Sequence, residues 1–320
     1  MKIAILGPGG VGGLLAGVLD RAGNEVIVVA REDTAELIAE RGVDVRSVIF
    51  GDFIAHPRVV AELQEPVDAL IVATKAAGLE PALERIRVEP TVVLPLLNGL
   101  DHIAVLRRRF AASSVLAGSI RVEADRPQPG VVVHTSPFLL VSMASGEPGE
   151  SGDRSVDDTS VADRMGVMDA MQALADTLSE AGVPTKVLDS EAQVMWSKLV
   201  RLNALACTTS AYDELLGEIR STPALRADLV GAIEEACAVG KAEGAHDVDP
   251  AIAIDELERA HDTLGSSMQR DIAAGREPEL DAIPGSVLRA GARHGIACPT
   301  IERLVAMIAV RAGVPGPLLP

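Results

Sequence analysis

Gly7, Gly9 and Gly12 stand as G-x-G-x-x-G directly after an apolar run that starts at residue 2, and an amphipathic stretch follows them. The spacing suits an anionic ligand. The first glycine permits a tight turn, the second lets the backbone approach a pyrophosphate, and the third lets helix pack closely on strand. Gly10 and Val11 fill out a loop of backbone N–H groups at a helix N-terminus, where negative charge is attracted. Any α/β protein can contain such a turn. Here strand, turn, helix and next strand all fall where dinucleotide binding needs them.

The second apolar run, EVIVVA, ends in Arg31 instead of the acidic residue that would bond an unphosphorylated ribose. A guanidinium there can pair with a 2′-phosphate, which favours NADP over NAD. Glu32 and Asp33 follow at once, and either pairing with Arg31 or capping the next helix fits them equally. Lys75 follows VDALIVAT, at the carboxyl end of a strand, where ligands bind in open α/β sheets.

To hold these groups the chain must supply a sheet, and its first 143 residues have the rhythm of one. Short β-branched runs (KIAILG, EVIVVA, VDALIVAT, TVVLPLL, SVLAGSI) alternate with amphipathic stretches near Leu14–Leu19, Ala35–Ala39, Leu79–Ile86 and Ile103–Phe110. The reading is an N-terminal Rossmann-type, doubly wound parallel sheet with helices on both faces. GVVVHT and FLLVSMA read as further strands at its edge. Residues 144–163 lack apolar periodicity and read as a mobile surface loop. A helix around Met165–Leu178 and a short strand, PTKVL, follow. From Ser190 helical periodicity runs to Val310, so a C-terminal all-α domain is expected, with the division at 1–189 and 190–320. The ending, GVPGPLLP, reads as a frayed tail.

Composition narrows the function further. A net charge of −17 with four Phe, one Tyr and one Trp leaves neither a basic face nor a stacking platform for nucleic acid. The core must be aliphatic. Cys207, Cys237 and Cys298 are far apart, without CxxC spacing, which disfavours a disulfide framework or a zinc site and fits a reducing cytoplasm. The six histidines, His56, His102, His134, His246, His261 and His294, form no HxxxH pair, and G-x-S-x-G is missing. No apolar window approaches the length of a membrane span.

Together with the opening GPGGVG, Arg31 and the Thr74-Lys75 pair, several later segments resemble the ketopantoate reductases (2-dehydropantoate 2-reductases). These are LPLLNG ending in Asn98-Gly99, WSKL around Lys198, GEIR at Gly217, SSMQRDI from Ser266, PELD around Glu279, and ARHGIACP. The resemblance spans nearly the whole chain and implies reduction of a 2-oxo acid with NADP(H). It implies that Gly7, Gly9, Gly12, Arg31 and Lys75 hold the dinucleotide and that Asn98 lies near nicotinamide and substrate. Lys198 matches the catalytic lysine, Ser267 a serine that binds the substrate carboxylate, and Glu279 a carboxylate at the active cleft. By residue type alone, Lys198 reads as a surface lysine of an amphipathic helix, Ser266 and Ser267 as serines that cross a helix, and Glu279, after Pro278, as a residue of a helix N-cap region.

The chemistry is consistent with those roles. Hydride arriving at a ketone carbon leaves negative charge on oxygen, so the site needs a cation and a proton source, and an ammonium supplies both. Burial would lower the lysine's pKa and a carboxylate such as Glu279 would hold it charged, two opposed effects.

One departure bears on substrate choice. Family members place asparagines four and eight residues after the lysine, on one helical face because each step of four adds about 40°. This chain has Leu202 and Ala206 there. Asn203 lies roughly 140° around the helix from Lys198 and is a substrate-binding candidate only if a π-bulge rotates it towards the same cleft. Loss of the amides makes that wall apolar, which suits a 2-oxo acid with a more apolar side chain than ketopantoate. Two rivals share this plan: a β-hydroxyacid or polyol-phosphate dehydrogenase, and a non-catalytic NADP-sensing protein. The apolar helices of the second domain are suited to forming a homodimer.

Overall fold

The structure, a computed structural model, describes residues 1–146 and 160–318. Its strands are β1 (Lys2–Leu6), β2 (Glu25–Val29), β3 (Val43–Ser47), β4 (Gly51–Ala55), β5 (Arg58–Val60), β6 (Ala69–Val72), β7 (Val92–Pro95), β8 (Ala117–Arg121), β9 (Ala124–Gln128), β10 (Val131–His134), β11 (Leu140–Ala144) and β12 (Thr185–Val187). The helices are α1 (Gly10–Arg21), α2 (Glu32–Arg41), α3 (Leu79–Leu83), α4 (His102–Arg109), α5 (Ser160–Glu180) and α6 (Glu191–Tyr212), followed by α7 (Leu216–Ser221), α8 (Pro223–Ala242), α9 (Pro250–Arg259), α10 (Ser267–Ala273), α11 (Ser286–Arg293) and α12 (Pro299–Ala312).

Two compact units result. One comprises residues 1–97 and 102–194; the other comprises 98–101 and 195–320. In the first, five parallel strands lie in the order β5-β2-β1-β6-β7, with Ile3 opposite Val26 on one side and Ala69 on the other. The period of two fixes its two cores. Ile3 and Ile5 pack with Leu14, Leu15, Val18 and Leu19 of α1, whereas Ala4 and Leu6 pack with Ile27, Val29, Leu70 and Leu106. Both faces are buried, so the strands read as unbroken apolar runs.

Three strands that the expected topology omits, β3, β4 and β9, join β10 in a second sheet, ordered β4-β3-β10-β9. It covers α1, and only glycine allows so close a fit. A Cβ on Gly10 would lie 2.2 Å from the Ala124 carbonyl oxygen, and one on Gly13 or Gly17 would lie 2.6 Å from Val132 or Val45. GVVVHT therefore belongs to this sheet and not to the edge of the first. SVLAGSI also departs from expectation. Val115 makes one parallel bridge to Val93, but β8 then runs antiparallel to β11 in a three-stranded sheet, β12-β11-β8.

Of the loop expected at 144–163, residues 147–159 lie outside the described residues, and from Ser160 the chain is already α5. The second unit is all helical apart from its connections. The sole tryptophan, Trp196 of α6, is 2% exposed and lies against Gly240 of α8, where a Cβ would approach its ring to 3.0 Å. Glu235 of α8 caps α12 by accepting from the N–H groups of Thr300 and Ile301 at 2.8 and 2.9 Å. No helix among the described residues is long and apolar enough to cross a membrane.

The tail is not frayed as far as Leu318. Its backbone N–H donates to Asp281 Oδ1 at 3.2 Å, and its carbonyl accepts from Arg289 Nη1 at 2.8 Å. A Pro/Gly-rich composition shows that a helix has ended but not that a distant arginine takes up the backbone.

Candidate active site

The glycine turn follows β1 within the first unit. Gly7 has φ +92°, a left-handed conformation, and a Cβ there would lie 2.8 Å from Thr74 Cγ2. Its N–H donates to the Val29 carbonyl at 3.1 Å, which keeps the turn at the carboxyl ends of β1 and β2. A Cβ on Gly12 would lie 2.1 Å from the Gly7 carbonyl oxygen, so helix and turn meet with no room for a side chain. Gly9 caps α1 without a side chain, and the first turn carries no acidic residue. The leading N–H groups, those of Gly10, Val11 and Gly12, therefore have no acceptor within the helix. Thr74, whose methyl group faces Gly7, has its Oγ1 buried without a hydrogen-bond partner. A bare, donor-rich cradle of this kind fits a dinucleotide pyrophosphate.

Arg31 lies just past β2, exposed, at the N-cap position of α2. The alternatives left open for Glu32 are resolved by Arg85, which binds its carboxylate through two N–H groups at 2.9 and 3.1 Å. That bidentate pair holds the Glu32 carboxyl below its usual range, and Glu32 and Asp33 both occupy the first turn of α2. Lys75 is exposed three residues past the end of β6, with extended backbone (φ −75°, ψ 154°).

The second constellation lies wholly within the second unit. Lys198 Nζ donates to Asn98 Oδ1 at 2.9 Å, and Asn98 Nδ2 donates to Glu279 Oε2 at 3.0 Å. Because the carboxylate can only accept, it fixes which end of the amide faces the lysine. Glu279 thus reaches Lys198 through Asn98, whereas the residue types alone suggested a carboxylate directly beside the ammonium. All three side chains are half-buried.

Local structure explains the meeting. After β7 the chain crosses into the second unit for only four residues, Asn98 to Asp101. Gly99 adopts φ +85°, and a Cβ there would lie 2.0 Å from the carbonyl oxygen of Ala282. Ala282 belongs to a π-helical segment, Asp281–Gly285, that begins two residues after Glu279. Backbone contact at Gly99 therefore brings the neighbouring Asn98 within reach of Glu279.

Ser267 is the first residue of α10 and is exposed. Ser266 before it caps the helix, accepting from Gln269 N at 3.0 Å, and shares a 2.8 Å hydrogen bond with Thr209 of α6. Thr209 is eleven residues after Lys198, a net rotation of roughly 20°, so one face of α6 carries Lys198 and supports the start of α10. Thr209 escaped sequence reasoning because a threonine within a helix carries no signal beyond that spacing.

The condition attached to Asn203 is not met. Helix α6 is continuously α-helical, and Asn203 is fully buried, its Oδ1 accepting from Cys207 Sγ at 3.6 Å. Without a π-turn the five-residue offset points its side chain away from Lys198, into the interior. Leu202 is half-buried and Ala206 buried on the lysine's side of the helix. Burial pushes the Cys207 thiol far up and those of Cys237 and Cys298 up to about 11, so none is a thiolate nucleophile at neutral pH. No group of three or more His, Cys, Asp or Glu among the described residues could hold a metal ion.

Comparison with known proteins agrees along most of the chain. It is 28% identical over 316 residues to the oxidoreductase YkpB of Bacillus subtilis (strain 168), covering 96% of this chain and 97% of that one. It is 29% identical over 327 residues to the 2-dehydropantoate 2-reductase of Mycobacterium tuberculosis (strain H37Rv), covering 98% and 99%. The solved 2-dehydropantoate 2-reductase of Geobacter metallireducens GS-15 superposes with a TM-score of 0.83 at 26% identity, over 97% of this chain and 99% of that one. Residues 3–143 match the family described as ketopantoate reductase PanE/ApbA, and residues 192–312 match its C-terminal part. With both regions matched, the chain belongs to the ketopantoate reductase family, as an NADP-dependent oxidoreductase that reduces 2-oxo acids.

Proposed function

We propose that this protein reduces 2-dehydropantoate to pantoate with NADPH, a step in making pantothenate. The observation that carries this reading is the chain of hydrogen bonds from Lys198 through Asn98 to Glu279. Gly7, Gly9, Gly10, Val11 and Gly12 would hold the pyrophosphate, Arg31 would pair with the 2′-phosphate, Lys75 would contact the dinucleotide from the end of β6, and Asn98 would border the nicotinamide. Bound NADPH supplies the hydride.

Lys198 faces the substrate's keto oxygen, stabilises the negative charge that develops there and delivers the proton. Asn98 orients the ammonium by accepting from it, and Glu279 fixes the Asn98 amide. Ser267, exposed at the start of α10, binds the substrate carboxylate. Three free, buried cysteines fit a reducing compartment, and we place the enzyme in the cytoplasm.

A second reading rests on Leu202 and Ala206, whose apolar side chains favour a 2-oxo acid with fewer polar groups than 2-dehydropantoate. Steady-state kcat/KM with NADPH across 2-dehydropantoate, branched-chain and aryl 2-oxo acids separates the two. Preference for 2-dehydropantoate supports the first, and preference for an apolar acid replaces it with the second. Lys198→Ala is expected to lower kcat by about 10²–10⁴ while leaving NADPH affinity unchanged. A protein that binds NADPH yet turns over no member of the panel, with or without Lys198, would be a sensor instead.

A further inference from the structure

We propose that Arg289 is a positioning residue that holds Asn98 and Glu279 in register for Lys198. The inference rests on the reading of that triad given above. Arg289 lies on α11 with its side chain 19% exposed. Its Nη2 donates to Asp101 Oδ2 at 2.6 Å, and its Nη1 donates to Asp281 Oδ1 at 2.7 Å. Nη2 also donates to the Asp281 carbonyl at 2.8 Å.

The two aspartates mark the segments that carry the site. Asp101 is three residues beyond Asn98, and Asp281 is two residues beyond Glu279. A single planar guanidinium therefore ties together two stretches of chain about 180 residues apart, the ones that present the Asn98 amide and the Glu279 carboxylate to each other. Contact between Gly99 and Ala282 sets how close the segments come. It does not stop one from sliding past the other, and a charged fork gripping both sides does. The tail adds a third arm, since Leu318 bonds both Arg289 and Asp281.

Lysine would be a poor replacement. It offers one point charge where the acceptors lie around a fixed fork. Nothing in the spacing of the arginines near the C-terminus singles out Arg289. The clue in the sequence is the pair of acids at short offsets from Asn98 and Glu279.

The test measures single and double variants of the full chain with NADPH and the best 2-oxo acid of the panel. Arg289→Met is expected to lower kcat about ten- to a hundredfold through misplacement of the amide, with NADPH affinity unchanged. In an Asn98→Ala background the same change should cost less than about twofold, because its route to Lys198 is already gone. Arg289→Lys should restore only a small part of kcat. Arg293→Met, on the same helix but paired with Glu243 at an exposed position, should keep full kcat.

Should Arg289→Met fail to fold, Asp101→Ala removes one arm and must show the same non-additivity with Asn98→Ala. Full kcat in Arg289→Met, or multiplying effects in the double variant, overturns the positioning role. If Asn98→Ala and Lys198→Ala themselves leave kcat intact, it is the reading of the triad that fails.

Discussion

Gly99 and Ala282 meet backbone to backbone, with no space at Gly99 for a side chain and a left-handed φ of +85° that only glycine adopts readily. Gly23 has the same φ of +85° but nothing within 4 Å of its missing Cβ. Alanine at Gly23 should cost only the conformational part, about 1–2 kcal/mol. Alanine at Gly99 adds a collision with Ala282, so it should lose more stability and also most of kcat. Urea unfolding and steady-state rates on both variants check this, and equal behaviour would mean that the close approach is unimportant.

Arg31 is exposed past β2, and Glu32, its nearest acid in sequence, is engaged by Arg85. Arg31→Ala should therefore weaken NADPH binding about ten- to a hundredfold, the worth of a charge-assisted contact with phosphate. NADH binding should barely change. Fluorescence titration with both nucleotides reads the difference, and an equal loss for the two would place Arg31 elsewhere.

Leu202 stands one turn beyond Lys198 and is half-buried, at a position where the family resemblance implies an amide. Leu202→Asn should shift kcat/KM towards 2-dehydropantoate, relative to branched-chain 2-oxo acids, by about tenfold. Ala206 is buried and gives a poorer test, since added volume there would strain the packing. An unchanged ratio in Leu202→Asn would remove this residue from substrate choice.

His134 links the second sheet internally, its Nδ1 2.8 Å from Ser47 Oγ and its Nε2 3.2 Å from Ser136 Oγ. Burial lowers its pKa, outweighing an opposing contribution from the Phe138 backbone and the Glu123 charge. A base whose folded pKa is depressed contributes stability above its unfolded pKa, about 6.5, and loses it as pH falls through the lower folded value. The wild-type protein should therefore lose unfolding free energy more steeply than His134→Gln below about pH 6.5. Urea titrations at several pH values give both slopes, and parallel slopes would show that His134 does not titrate on unfolding.

Legibility in the sequence followed burial. The strands β1, β2, β6 and β7, buried on both faces, stand out as apolar runs, and the glycines between β1 and α1 are fixed by a backbone geometry that tolerates no substitute. In contrast β3 (VDVRS), β4 (GDFIA) and β9 (ADRPQ) bury at most one face and carry charges or a proline, so their periodicity is faint. SVLAGSI was recognisable as a strand, but its partner β11 begins nineteen residues after β8 ends, and pairing direction is not a local property.

The site divides in the same way. Residue type and spacing led to Gly7, Gly9, Gly12 and Arg31, because their chemistry is local. Lys198, Asn98 and Glu279 were brought together by family resemblance, and their order along the hydrogen-bond chain needed coordinates. Asn203 shows the cost of a near miss. One residue of offset on an α-helix is about 100° of rotation, enough to send an amide into the core.

Helix α1 is enclosed between two sheets, with its donor-rich first turn under the strand that carries Ala124. Local opening of the β3–β10 layer must therefore uncover α1 as well, and a coenzyme that tightens the first turn raises the free energy of that opening. Saturating NADPH would then slow deuterium uptake at the amides of β3 and β10, the strands whose Val45 and Val132 lie against α1. An assay with no turnover would thus register occupancy of the cradle.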